Sequence, residues 1–267
     1  MAVVAVKNGD LEYRIAEGIA VPHAFTTRKG GVSTGYLSGL NLGMHRGDAP
    51  ETVQRNFAVL GAALGFDPHK VVLTKQKHTA TVLTVGEKQW GAGLYGQENP
   101  VCDGLVTNVP GTVLTVFSAD CTPVLLYDPV TGAVGAVHAG WRGTAAAIAA
   151  VAVEQMETAC GCRPENLCAA IGPNIGACCF ETDRDVPDAM LDSFGADAAP
   201  FIRSVGEKYY VNLKELNALA LRRAGVTKIE ISGECTACAP ALYWSYRTMG
   251  DQRGSQGACI VCRGVSR

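Results

Sequence analysis

Ser118-Ala-Asp-Cys-Thr-Pro-Val-Leu-Leu-Tyr-Asp-Pro-Val-Thr-Gly-Ala-Val-Gly-Ala-Val-His-Ala-Gly-Trp-Arg-Gly143 holds two apolar runs around a turn signal, Asp128-Pro-Val-Thr-Gly132. The runs Pro123–Tyr127 and Ala133–Val137 are short and bounded by Asp, Pro and Gly. They read as the two strands of an antiparallel hairpin. With Asp128 facing Gly132, residue 121 lies opposite residue 139, beside His138. Cys121 and His138 then meet at the open end of the hairpin, each in a turn-like flank. A thiolate beside an imidazole is a natural pair of zinc ligands. The same two groups also make a nucleophile and its base.

Outward from the hairpin, further strand signals fall at Thr81–Val85, Thr112–Phe117, Leu167–Ile171, Tyr209–Val211 and Lys228–Ile231. Helices are expected in three places. Asp48-Ala-Pro-Glu51 reads as a capping box, followed by Val53, Phe57, Leu60 and Leu64 at helical spacing and by Gly65 as a stop. A second helix is expected from Thr144 to Cys160, closed by Gly161. A third starts at Asn212, with Glu215 three residues on, and stops at Gly225. The mixture predicts an α+β fold with helices covering sheet faces.

The chain of 267 residues suits one large domain or two small ones, and 48% hydrophobic residues mark a folding sequence. A net charge of −2 without a basic stripe argues against nucleic acid as a partner. The run Thr144–Val153 is too short and alanine-rich to span a bilayer, so no membrane partner is expected. The start, MAVVAVKNGD, lacks the pattern of a secretory signal. Eleven cysteines without an export signal read as reduced thiols of a cytoplasmic protein, most of them small buried hydrophobes.

A catalytic metal needs a third ligand and an open position. His78, in Lys75-Gln-Lys-His-Thr and just before a strand, is the best remaining histidine. The competing reading is that both histidines cap strands and Cys121 packs in the core, because no contiguous motif such as HExxH is present.

These segments resemble the laccase-domain, YfiH-like family. The resemblance rests on Thr26-Thr-Arg-Lys-Gly-Gly-Val-Ser33, Leu40-Asn-Leu-Gly43, Gln76-x-His78, Asp103-Gly-Leu-Val-Thr107, Ser118–Pro123, His138–Gly143, Ile171–Glu181 and Ser245-Tyr-Arg247, and covers roughly residues 20–262. It implies one catalytic domain over residues 1–267, an αββα sandwich with mixed sheets, and zinc bound by His78, Cys121 and His138. It also implies purine nucleoside phosphorylase activity on adenosine, inosine and methylthioadenosine, with adenosine deamination. Older descriptions of the family imply a copper-dependent polyphenol oxidase, and related bacterial proteins imply editing of peptidoglycan precursors by a Cys–His amide hydrolase. A non-enzymatic zinc-binding module is a further alternative, opposed by the polar residues gathered in glycine-rich loops. Small-molecule partners, a purine nucleoside and phosphate, are expected, with the protein as a monomer or homodimer. One departure is Gly254-Ser255, where the family has a Gly-Arg pair.

Within this frame Cys121, Asp103 and Asp120 are the expected catalytic residues. Asp103 is read as a proton carrier, and Asp120 as orienting a ligand from behind. Arg28, beside Gly30-Gly31, and Arg142, stacked after Trp141, are expected to bind phosphate or purine, with Asn41 beside them; the competing reading for both arginines is a solvated surface charge. His23, His45 and His69 are read as structural. Cys235-x-x-Cys238 and Cys259-x-x-Cys262 are separated by 20 residues, a zinc-ribbon spacing. Cys259 and Cys262, however, fall in an expected strand, where positions three apart face opposite sides. They are therefore expected to be core residues. Cys178-Cys179 reads as one buried and one exposed thiol.

Overall fold

The computed structural model describes residues 2–265; Met1, Ser266 and Arg267, which belong to the expected 1–267 domain, lie outside the described residues. In chain order the strands and helices are β1 (Val3–Asn8), β2 (Leu11–Ala16), β3 (His23–Thr26), α1 (Pro50–Leu64), β4 (Val71–Leu73), β5 (Val82–Thr84), β6 (Gly104–Thr107), β7 (Val113–Ser118), β8 (Thr122–Tyr127) and β9 (Val134–Ala139). There follow α2 (Trp141–Ala145), α3 (Ile148–Cys160), β10 (Cys168–Ile171), β11 (Glu181–Thr182), α4 (Asp185–Phe194), β12 (Ile202–Val205), β13 (Lys208–Val211), α5 (Leu213–Arg223), β14 (Lys228–Ile231), α6 (Tyr246–Met249) and β15 (Gln256–Val261).

Two six-stranded sheets form, in the orders β1-β2-β3-β15-β7-β4 and β14-β10-β8-β9-β6-β5, with a three-stranded sheet β11-β13-β12 to one side. Both large sheets are mixed. β4 with β7, β5 with β6, and β10 with β14 run parallel, while the other pairs are antiparallel. Strand alternation sorts the apolar side chains into layers. Leu114, Val116, Ala258 and Ile260 of the first sheet meet Leu105, Leu125, Val134 and Ala136 of the second in a shared core. The outer face of the first sheet takes Val53, Phe57 and Leu60 of α1. The outer face of the second takes Ile148, Ala152 and Met156 of α3 with Ala218 and Leu221 of α5. The architecture is α+β, layered helix–sheet–sheet–helix, as expected. No helix among the described residues is long and apolar enough to cross a membrane.

The hairpin forms, but its register differs by one residue from the expected one. Asp128 N–H donates to Ala133 O, because Gly132, left-handed at φ +73°, folds back to donate its own N–H to Asp128 O. The pairing becomes Thr122 with Ala139 and Pro123 with His138. The difference decides the site. In the expected register Cys121 and His138 stand on opposite faces; in the observed one Cys121 is two residues from the partner of His138 and returns to its face.

Three other expectations change. Asp48 caps no helix; its carboxylate accepts from Ser33 Oγ and Asn41 Nδ2, and α1 starts at Pro50, whose fixed φ suits a first helical position. The helix expected over 144–160 breaks at Ala147, left-handed at φ +52°. Alanine favours helix, so the break is imposed by packing: α2 lies against α4 and α5, whereas α3 covers β5, β6 and β9. Five of the eleven cysteines, Cys102, Cys162, Cys168, Cys259 and Cys262, are buried, and the rest sit at or near the surface. Cys259 packs under α1 and Cys262 between the sheets, on opposite sides as strand parity predicts.

Candidate metal centre

The shared core has inward-facing rows on three neighbouring strands, β8, β9 and β6. At one end the apolar residues on these rows give way to Cys121, His138 and Asp103. Cys121 extends the row of Leu125 and Tyr127, His138 that of Val134 and Ala136, and Asp103 that of Leu105. His138 N–H donates to Asp103 O at 2.7 Å, which fixes the two strands at this point.

Cys121 sits where the chain crosses from β7 in one sheet to β8 in the other. The crossing is tight. Asp120 takes φ +94°, and Ser118 Oγ donates to Cys121 O. Such a backbone costs about 1–3 kcal/mol and persists only where its surroundings fix it. Here Asp120 accepts Thr236 Oγ1 at 2.6 Å and Arg247 N–H at 2.7 Å on its two carboxylate oxygens, and Ile175 N–H on its carbonyl.

His78 comes from the loop before β5 and is also left-handed, at φ +60°. Its backbone is held by Asp103. That carboxylate accepts the N–H groups of Lys77, His78 and Thr79 and the Thr79 hydroxyl, and it receives His138 Nδ1 at 2.9 Å. Asp103 thus orients one histidine through its ring and the other through its backbone. The His78 and His138 rings stand edge to face, with centroids 4.9 Å apart. Gly140 closes the group: a Cβ there would lie 2.8 Å from His78 Cδ2 and 3.3 Å from Cys121 Sγ.

His78, Cys121 and His138 each aim one ligand atom at a common point, all within 4.8 Å of one another, with Cys121 Sγ 3.9 Å from His78 Nε2. A tetrahedral centre with Zn–S of about 2.3 Å and Zn–N of about 2.0–2.1 Å separates sulfur from nitrogen by about 3.6 Å. The group therefore fits a transition metal with small adjustment. Its electrostatics favour the thiolate of Cys121, the form that ligates a metal. Burial opposes the Cys121 thiolate, but His138 and His78 outweigh it and bring the thiol down to about 6. Burial likewise opposes charge on His138, yet Cys121 and Asp103 raise it to about 9. Asp103 is held well below the usual carboxylate range, since its hydrogen bonds from His138, Thr79 and Lys77 overcome its burial.

A cavity of about 160 Å³ opens over these three residues, lined also by Arg46, Gln76, Phe117, Arg253 and Ser255. It shares Arg46, Gln76, Phe117 and Ser255 with a larger cavity of about 480 Å³ that His45 also lines. On the other side of Cys121 a cavity of about 150 Å³ is walled by Trp141, Phe180, Tyr246 and Arg247. Arg253 is 9% exposed, its Nε has no hydrogen-bond partner among the described residues, and burial lowers its pKa. Nothing in the sequence singled out Arg46 or Arg253. Each lies in a polar loop where a charge reads as solvated, although Arg253 stands one residue before the Gly254-Ser255 departure.

The residues expected to bind substrate are placed differently. Arg28 lies 3.8 Å over the Trp244 ring, donates to Pro240 O, and lines a separate depression with Lys29 and Ser38. Asn41 is fully buried, its amide spent on Gly43 O, Asp48 and the N–H groups of Gly43 and Ser255. It ties loops together and has no group left for a ligand. Arg142 is exposed, 4.1 Å over Trp141. Of the two acids, Asp103 touches a histidine ring, and Asp120 holds the Thr236 and Arg247 segments. His23 is locked between Ala16 N–H and Val21 O, and His69 stacks on Tyr95.

Residues 22–263 match the family described as multi-copper polyphenol oxidoreductase laccase. The chain belongs to this laccase-domain family. Among curated relatives, a purine nucleoside phosphorylase of Deinococcus radiodurans is 38% identical over 92% of this chain and 90% of its own length. The purine nucleoside phosphorylase YlmD of Geobacillus stearothermophilus is 36% identical over 88% of this chain and 87% of its own. Among solved structures, YlmD of Geobacillus stearothermophilus superposes with a TM-score of 0.91 at 33% identity, covering 98% of this chain and 99% of that one. The laccase-domain fold is thus shared along almost the whole chain.

Proposed function

We propose that this laccase-domain protein is a zinc-dependent purine nucleoside phosphorylase that acts on adenosine, inosine and methylthioadenosine and also deaminates adenosine. The observation that carries the reading is Arg253, a buried guanidinium with an unpartnered Nε, beside Arg46 in the cavity over His78, Cys121 and His138. A buried N–H of a charged group left without an acceptor is costly, and an anionic co-substrate such as phosphate supplies that acceptor. The names of the curated relatives support the phosphorylase part of this reading.

In phosphorolysis a phosphate oxygen attacks C1′ of the ribose, the C1′–N9 bond breaks, and the purine leaves with the bonding electrons. Arg46 and Arg253 hold the phosphate against the ribose and match its charge. The aromatic wall of Trp141, Phe180 and Tyr246 offers faces for the purine ring. His78, Cys121 and His138 would hold zinc, which when bound supplies Lewis acidity at the open side of the three ligands. Asp103 serves as a positioning residue rather than a proton carrier, because both its oxygens already accept hydrogen bonds and its pKa is depressed. Asp120 positions the Cys121 turn. Catalysis is assigned to one domain over residues 1–267.

Copper oxidation of phenols is the weaker alternative. The thiolate and two imidazoles suit copper, but His23 and His69 are committed elsewhere, leaving His45 as the other histidine lining these cavities. The test incubates metal-loaded protein with adenosine, with and without phosphate. The proposal expects free adenine and ribose 1-phosphate only with phosphate, and inosine in both arms. Base release independent of phosphate would indicate a hydrolase. Oxygen consumption with a phenol, and no reaction with nucleoside, would overturn the reading.

A further inference from the structure

Cys178-Cys179, read from the sequence as one buried and one exposed thiol, are exposed and half-buried, and they meet Cys235-x-x-Cys238, whose zinc-ribbon spacing to Cys259-x-x-Cys262 carries no pairing because both of those cysteines lie in the core. The loop after β10 and the loop after β14 run side by side, because β10 and β14 are parallel neighbours, and parallel pairing resumes beyond the strands, shifted by one residue. Asn174 bridges to Cys235, and Thr236 N–H donates to Asn174 O at 3.0 Å. Each loop then turns back. Cys179 and Phe180 both donate to Gly176 O, which folds the vicinal pair toward the Cys-x-x-Cys turn.

The four sulfurs gather within 4.8 Å of one another. Cys178 Sγ and Cys179 Sγ lie 3.6 and 3.4 Å from Cys238 Sγ. A tetrahedral zinc tetrathiolate, with Zn–S of about 2.3 Å, has sulfurs about 3.8 Å apart. The cluster already has close to this size, and small outward shifts complete it. Gly176 N–H donates to Cys235 Sγ at 3.1 Å, as backbone amides do toward metal-bound thiolates. Lys214 lines the same depression as Cys178 and Cys235, and its ammonium donates to Ser232 O and Glu234 O just before the Cys-x-x-Cys turn, which puts a positive charge beside the cluster. Four mutually adjacent thiolates repel strongly unless a cation sits among them. Four protonated thiols crowded in one pocket gain only weak hydrogen bonds.

We propose that Cys178, Cys179, Cys235 and Cys238 form a second metal site, a closed tetrathiolate for zinc with a structural role. Four protein sulfurs leave no open position, which separates it chemically from the three-ligand centre. Its place in the fold gives it a task. Thr236 inside the Cys-x-x-Cys turn donates to Asp120, and Arg247 reaches across to Cys179 O and Glu181 O while its own N–H holds Asp120. A metal that ties the two loops together thereby braces Asp120, the strained residue that presents Cys121.

The test is metal stoichiometry of the full chain, purified under reductant with zinc supplied. The wild type should carry two equivalents. Cys121→Ser should keep one, and Cys235→Ser/Cys238→Ser should lose the second and unfold at lower temperature. With cobalt(II) in place of zinc, intense sulfur-to-cobalt bands of a tetrahedral tetrathiolate should persist in Cys121→Ser and vanish in the double variant. Should the double variant fail to fold, stepwise zinc release from the wild type by an organomercurial gives the same count, with a second equivalent freed only after further thiols react. A wild type that never takes up more than one equivalent, or that keeps both after loss of Cys235 and Cys238, overturns the proposal. So does an intact Cys179–Cys238 disulfide in protein kept reduced and supplied with metal.

Discussion

Asp103→Asn separates a positioning role from a proton-carrying one. Asp103 Oδ1 accepts His138 Nδ1 at 2.9 Å and His78 N–H at 3.0 Å, and Oδ2 accepts Thr79 N–H and Thr79 Oγ1, both at 2.8 Å. Asparagine keeps one acceptor oxygen and turns an NH2 group toward the other set. If that group faces Thr79, the hydroxyl can rotate to accept, but the Thr79 N–H is left pointing at a donor. One orphaned donor costs about 1–3 kcal/mol, and each surviving bond loses about 1 kcal/mol of charge assistance. Relief of the buried charge offsets part of this, leaving about 3 kcal/mol of destabilisation. For a chain of this length that is a fall of about 5 °C in Tm. Because both histidines depend on the same carboxylate, metal affinity should also drop by about 10–100-fold. Thermal unfolding of the loaded protein and metal competition against a chelating indicator read the two effects. A Tm within about 1 °C of wild type with unchanged metal affinity would refute the clamp. Lost activity with both retained would make Asp103 a proton carrier after all.

Cys121→Ser should lose the metal of the three-ligand centre and most activity, since a hydroxyl is a poor substitute for thiolate; full metal retention, read by elemental analysis, removes Cys121 from the centre. Gly140→Ala changes no ligand but presses a methyl between His78 and Cys121, so metal affinity should fall while circular dichroism stays native; unchanged affinity would show that the ligands have slack. Arg253→Ala should lower kcat/KM for phosphate by about 10–100-fold and spare adenosine deamination; equal losses in both reactions would place Arg253 on the nucleoside or the fold. Replacing Cys259 and Cys262 by Val should leave the metal count unchanged and cost under about 1.5 kcal/mol each in urea unfolding, as for near-isosteric core changes; loss of a zinc equivalent would restore the zinc-ribbon pairing.

The sequence by itself determined the elements whose signals are local. The hairpin announces itself through Asp128-Pro-Val-Thr-Gly132, α1 through Val53, Phe57 and Leu60 with Gly65 behind them, and α5 through Asn212, whose side chain does accept Glu215 N–H. Elements that depend on partners were silent: α4 has no cap bond of its own, and the short strands β4 and β6 gain stability from neighbours far along the chain. At the centre, Cys121, His138 and His78 were legible from residue type and motif. Their meeting was not, because a shift of one residue in the hairpin decides whether two of them share a face. Only the tertiary structure set that register, bent His78 and Asp120 into left-handed backbone, gave Asp103 to the histidines, brought Arg46 and Arg253 over the three residues, and turned Cys235 and Cys238 toward Cys178 and Cys179 rather than Cys259 and Cys262. The physical reason is range. Periodicity and capping act over a few residues, where the chain reads its own neighbours. Sulfurs about 60 positions apart meet only after parallel strands have fixed where their loops emerge.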